Sequence, residues 1–305
     1  MSLVASIFLN DIAPIFVLAA VGFLLARGAG ASVKTLSTVS FNALSPCLVF
    51  NQLVTARVGL SQSWRVVAFC VVMTAVIGLA ALTVAGLLRL DGSTRTSFLL
   101  VVMFSNSGNY ALPVVLFAFG GEALAFASVY FVTSAILVYT FGVYVAAQGQ
   151  GRTGTVTALR RVAGVPAVWG TVGAVLVMAT GLSVPEAVLR PVSLLADAAI
   201  PVMLLVLGMQ LERHTRPEHP RAVSAAVLLS LLVAPILAFG LAHLIGLEGP
   251  ARQAAIIEAS MPAAVVTTVL ALEFELDANF ATSVVLFSTL LSPFPLVLLI
   301  AHLQS

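Results

Sequence analysis

Long apolar stretches without a charge set the terms for this chain. Residues 66–88, 96–121, 123–151 and 278–305 contain no Asp, Glu, Lys or Arg. Each exceeds the roughly 20 residues that a helix needs to cross the hydrocarbon of a bilayer. Charged residues make up 9% of the sequence and hydrophobic ones 60%. The mean hydropathy is +1.12, far above that of a soluble domain. The chain therefore reads as an all-α polytopic membrane protein. Cys47 and Cys70 both fall in apolar runs and read as core thiols without a disulfide. A net charge of +2 offers nothing to a nucleic acid.

Ten spans can be drawn, at about residues 3–26, 36–54, 66–88, 96–119, 123–147, 163–181, 187–211, 222–245, 251–272 and 278–302. No basic region precedes the first, and further spans follow it, so it reads as a retained helix rather than a cleaved signal. With the N-terminus outside, ten cations fall in inner loops: Arg27, Lys34, Arg89, Arg95, Arg152, Arg160, Arg161, Arg213, Arg216 and Arg221. Arg57, Arg65, Arg190 and Arg252 are left outside. That split follows the positive-inside rule and places both termini on the outer face of the cytoplasmic membrane. The acidic loop from Glu273 to Asp277 also falls inside, and it could draw cations toward the ninth span.

Proline spacing adds a second constraint. Of the 14 prolines, Pro14, Pro46, Pro113, Pro201 and Pro262 have Asn10, Asn42, Asn109, Asp197 and Glu258 four residues earlier. Composition alone would give about one such coincidence. Proline has no N–H, so it strips the carbonyl four residues back of its helical partner. A polar side chain at that point can re-satisfy an ordinary kink or glue two helices. At Asn109 and Glu258 the reading goes further, because polar and ionisable groups deep in a membrane default to function. Ser105, Asn106, Ser107, Gly108 and Asn109 follow one another in mid-span, which no single packing face explains. Gly108 also tolerates a positive φ. Local unwinding here would leave a half-helix aiming its partly positive N-terminus at a ligand. The ninth span offers Glu258 and Ser260 before Pro262, then Thr267 and Thr268. Those two threonines read as back-bonding to their own helix.

The two halves repeat each other. Asn42-Ala-Leu-Ser-Pro46 matches Asp197-Ala-Ala-Ile-Pro201, and Asn109 to Pro113 matches Glu258 to Pro262. Phe126-Ala-Ser-Val pairs with Phe280-Ala-Thr-Ser-Val. Residues 1–149 would form one five-helix repeat and 150–305 the second. An odd number of spans per repeat inverts the second copy. Inverted repeats with discontinuous helices near the midplane are a transporter architecture.

Ser107-Gly-Asn-Tyr-Ala-Leu-Pro113 with Phe119-Gly-Gly-Glu-Ala-Leu-Ala125 resembles a signature of the auxin efflux carrier family. So do Asp197 to Leu211 and Met261-Pro-Ala-Ala-Val265, and the likeness covers essentially the whole chain. The resemblance implies helices crossing at the prolines of spans four and nine, as in sodium/bile acid symporters and sodium/proton antiporters. It implies an elevator in which spans 3–5 and 8–10 slide past a scaffold of spans 1, 2, 6 and 7. It also implies a small organic anion as substrate, such as an auxin-like acid or a dicarboxylate. The long central loop of the plant members is not matched, since residues 148–161 are short. Carried onto this sequence, the substrate site would be Ser105, Asn106, Asn109, Pro113, Ser260 and Pro262. Asn42, Pro46, Gly108 and Pro201 would support it. Asn42 and Asp197 would face the same crevice or sit at a dimer contact, the resemblance leaving a homodimer open.

No Lys or Arg lies deep within a span, so Glu258 and Asp197 stand alone at midplane depth. An isolated carboxylate there takes up a proton or a cation. Both are candidate ion-coupling residues for H+ or Na+, and no other cofactor is expected. A neutral or cationic solute paired directly with Glu258 stays open as an alternative, and a channel is a remoter one. An enzyme is not expected. The histidines, His214, His219, His243 and His302, form no metal-ligand cluster, and Gly-x-Ser-x-Gly is absent. His214 and His219 among Arg213, Arg216 and Arg221 read as a basic loop against phospholipid.

Overall fold

The computed structural model describes residues 3–56, 60–148, 162–212 and 219–304. The expected boundary between the halves lies outside these residues, as do Arg57, Arg152, Arg160, Arg161, Arg213, His214 and Arg216. Nearly everything described is helical. In chain order the helices are α1 (Val4–Ala29), α2 (33–56), α3 (Leu60–Leu87) and α4 (Gly92–Met103). Next come α5 (107–119) and α6 (121–148), parted at Gly120, then α7 (Pro166–Thr180), α8 (Glu186–Gln210) and α9 (Pro220–Ile245). The chain ends with α10 (Gly249–Ala259), α11 (Val265–Glu273), α12 (Ala278–Leu291) and α13 (Pro293–Gln304).

Among the described residues, α1, α3, the run Ser107–Gln148, α8 and α9 are long and apolar enough to cross a membrane. The pair α12 and α13, bent by 53°, makes a sixth. Leu79, Ile236, Leu244 and Phe294 are among the large apolar side chains exposed on the outside, where lipid replaces water as their solvent. This is a multi-pass membrane protein. Helices α4, α10 and α11 fall short of a full span because the chain is interrupted beside them.

Proline explains much of the irregularity. A π-helical turn precedes Pro14 (Phe8–Ile12), Pro46 (Ser40–Leu44), Pro113 (Ser107–Ala111) and Pro235 (Leu229–Val233). In each, a residue just ahead of the proline donates five positions back, as Ser45 N–H does to Ser40 and Ala111 N–H to Asn106. The extra residue lets the helix absorb a ring that would otherwise strike the preceding turn. Asn10 and Asn42 sit inside such turns and tie themselves one turn back, Asn10 to Ser6 Oγ and Asn42 to Thr38 O. Asp197, by contrast, lies in an α-helix that continues through Pro201. Gly120 has φ +79 and nothing near the place a Cβ would occupy. Its backbone conformation, not crowding, calls for glycine.

Two packing groups result. Helix α1 lies along α8, while α2 lies against both α7 and α8. These seams are tight: a Cβ on Gly208 would overlap the Ala19 carbonyl, one on Gly22 the Leu205 carbonyl, and one on Gly170 the Pro46 carbonyl. Small residues at such crossings let backbones approach in a membrane. The second group joins α3, α4, α5, α6 and α9 to α13. Helix α4 starts with Asp91 accepting from Thr94 N–H, and α12 with Asp277 accepting from Phe280 N–H. Asp277 also accepts from the Thr94 hydroxyl, so this member of the acidic loop works as a helix cap.

Candidate functional site

The break after α4 and the break after α10 meet. Phe104 leaves the helix with φ −116 and ψ 102, and Ser105 forms an antiparallel bridge with Ala263. Asn106 N–H donates to Pro262 O at 2.8 Å, and Ala264 N–H donates to Phe104 O at 3.0 Å. Pro262 leaves the Glu258 carbonyl without its helical donor, and the Ser105 hydroxyl supplies one at 2.9 Å. Backbone groups freed by two interruptions thus satisfy each other, which irregular chain inside a membrane protein must do. The Ser288 hydroxyl accepts from Ala263 N–H at 3.2 Å, and the Tyr110 and Ser292 hydroxyls pair at 2.8 Å.

The unwound stretch is shorter than the sequence suggests and begins earlier. It covers 104–106, whereas Gly108 and Asn109 already lie in the π turn that opens α5. Gly108 does not adopt a positive φ. A Cβ there would come within 2.9 Å of the Phe131 ring, so glycine is needed for room.

A cavity of about 650 Å3 opens beside the crossing. The first turns of α5 and α11 both border it, through Ser105 to Asn109 and through Ala264, Val265, Val266 and Thr268. The opposite wall comes from α2 and α8, including Lys34, Thr38, Asn42, Ser45, Met203 and Gln210. Helix α6 adds Phe131, Ser134 and Tyr139, and α12 adds Thr282. The first N–H groups of a helix have no partner within it, and the helix dipole makes that end partly positive. Asn106 is 5% exposed, and its Nδ2 has no hydrogen-bond partner. Lys34 is exposed at the mouth, and among the described residues the lining contains no carboxylate.

The sequence candidates therefore separate. Ser105, Asn106, Gly108, Asn109 and Asn42 line the cavity. Pro113 is buried one turn into α5, and the Ser260 hydroxyl donates to Ile256 O in its own helix. Pro262 belongs to the bridge. Glu258 stands behind the crossing, off the cavity wall, 0% exposed with both carboxyl oxygens unpartnered. Asp197 and Pro201 lie exposed on the outer side of α8, and Pro46 packs on α7. Thr267 back-bonds to Ala264 O, but its neighbour Thr268 faces the cavity. Tyr130, Ser134, Thr282 and Lys34 carry no sequence signal, since single hydroxyls in apolar helices and a lone cation at a span end are ordinary.

Interrupted helices that bond to each other beside a cavity bordered by several polar side chains, in a multi-pass helical protein, define a membrane transporter in form. A family model described as membrane transport protein matches residues 7–157 and 152–300. The chain belongs to that family, the one its motifs resemble. It is 28% identical over 265 residues to an uncharacterised transporter of Methanothermobacter thermautotrophicus, covering 85% of both chains. It is 27% identical over 215 residues to an uncharacterised transporter of Methanocaldococcus jannaschii, covering 67% of both.

Proposed function

We propose that this protein is a secondary transporter for a small organic anion, working by alternating access. Counting α4 with α5, α10 with α11 and α12 with α13 as interrupted spans gives ten, in two inverted repeats of five. The group built on α1, α2, α7 and α8 is the scaffold, and the rest moves against it. Asn106 and Asn109 hold the carboxylate together with the first turns of α5 and α11. Glu258 takes up H+ or Na+ as the coupling ion. The mouth beside Lys34 is on the inner side, by the positive-inside rule.

The carrying observation is the charge of the cavity: two helix N-termini, an unpartnered amide N–H2 and a lysine, with no carboxylate among the described lining residues. Anions rest on such ends. A cationic solute paired with Glu258 is disfavoured, since that side chain lies off the wall. The test is a thermal-shift screen of the purified protein against small mono- and dicarboxylates and matched amines. A carboxylate should raise the melting temperature through mass action and then show saturable uptake in proteoliposomes. Stabilisation by amines alone would overturn the reading.

A further inference from the structure

Of the 14 Lys and Arg residues in this chain, Lys34 is the one lysine. That count means little until the fold places the residue, exposed and in the lining of the cavity. Among the described residues no arginine lines the cavity, and no carboxylate pairs with Lys34. The ion contact of His219 with Asp277 lies off the lining, and so does Glu212, one residue past Leu211 of the wall. The wall formed by the start of α2 and the end of α8 is otherwise neutral, with Val33, Ser37, Thr38, Gln210 and Leu211. Lys34 also stands in the first turn of its helix, where the helix dipole disfavours a cation. Helix stability therefore does not account for it.

We propose that Lys34 is the charge filter of the cavity mouth, drawing a negatively charged solute inward without holding it. This rests on the transport reading above and adds the residue that decides which charge enters. A fixed charge at the rim of a concave, low-dielectric space focuses its field into the opening and raises the local concentration of the opposite sign. Lysine suits passage better than arginine does. A guanidinium forks onto a carboxylate through two parallel N–H···O bonds, whereas an ammonium is a compact, strongly hydrated point charge. An exposed pairing of that kind is weak, enough to favour anions a few-fold and too little to delay their departure. The two charge-bearing parts of the cavity also sit on different bodies. Lys34 belongs to α2, packed with α7 and α8, while Asn106 and the first turns of α5 and α11 belong to the crossing. A solute seated at the crossing can leave Lys34 behind.

The test uses charged thiol reagents and needs no solute. In a Cys47→Ala background, Ser134→Cys puts a thiol on the cavity wall, while Cys70 stays fully buried. Thr282→Cys gives the same readout from α12. The rate of labelling by an anionic sulfonatoethyl methanethiosulfonate is divided by the rate for the cationic trimethylammonioethyl reagent, in purified protein at low salt. Lys34→Gln should lower that ratio on the order of threefold or more, Lys34→Glu should lower it further, and Lys34→Arg should keep it. High salt should bring the parent toward Lys34→Gln. An unchanged ratio in Lys34→Gln at both thiols, or a parental ratio indifferent to salt, would overturn the proposal. In proteoliposomes, Lys34→Arg should also lower the turnover of a saturating carboxylate, since the fork slows release; parental turnover would overturn passage without holding. Failure of the transport reading would show separately, as absence of carboxylate uptake with the labelling ratios as expected.

Discussion

Asn106 places an amide N–H2 in a buried position at the cavity wall without a protein partner. An unsatisfied buried donor costs about 1–3 kcal/mol, so the side chain weakens the resting fold. A group that lowers stability where it stands is explained if a solute completes it. Asn106→Leu keeps the branching and the number of side-chain heavy atoms and removes the orphan. The variant should melt at the wild-type temperature or above it without ligand, yet lose the stabilisation by carboxylates expected of the parent. A purely structural amide would give the reverse, a lower melting temperature with ligand response intact. Asn42 makes a useful contrast. It lines the same cavity but spends its N–H2 on Thr38 O, one turn back, so its replacement should change ligand binding less.

At the scale of helices, the seams between α1 and α8 and between α2 and α7 are set by glycines under carbonyl oxygens. Gly208→Ala drives a methyl group into the Ala19 carbonyl, and overpacking of this kind costs about 1–3 kcal/mol. Thermal unfolding in detergent should show a clear fall in melting temperature. Gly240→Ala, on α9 with open space around it, should be neutral or slightly stabilising. Comparison of these elements shows what a sequence can carry. The breaks beside Asn106 and at Pro262 are legible because proline and a run of small polar residues act on the backbone they occupy. Gly108 is legible as an exception, but its reason is Phe131, a contact that only the folded chain supplies. Tyr130 is silent for the same reason: it looks like ordinary core until the crossing brings Ser105 to a small void that both of them line. Glu258 itself is conspicuous in the sequence, yet its position behind the crossing instead of on the cavity wall depends on which way α10 faces.

Across the whole molecule the cavity lies between the two packing groups, with α2 and α8 on one side and the crossing, α6 and α12 on the other. Tight glycine seams hold the first group together, while hydrogen bonds across the crossing hold the second. The surface between them is the natural place for movement. Phe41 on α2 and Tyr139 on α6 face each other across it, with ring centroids 6.4 Å apart. A Phe41→Cys, Tyr139→Cys pair in a Cys47→Ala background can be bridged with a short bis-methanethiosulfonate, which joins the two thiols through reducible disulfides. Cys70 is fully buried and need not be replaced. The bridged protein should lose solute exchange in proteoliposomes, regain it on reduction, and keep its thermal response to carboxylates throughout. Each single variant treated alike should go on transporting. Exchange that continues at full rate through the bridged pair would mean that the two groups do not move past one another, and that solute reaches the far side along a fixed path through the protein.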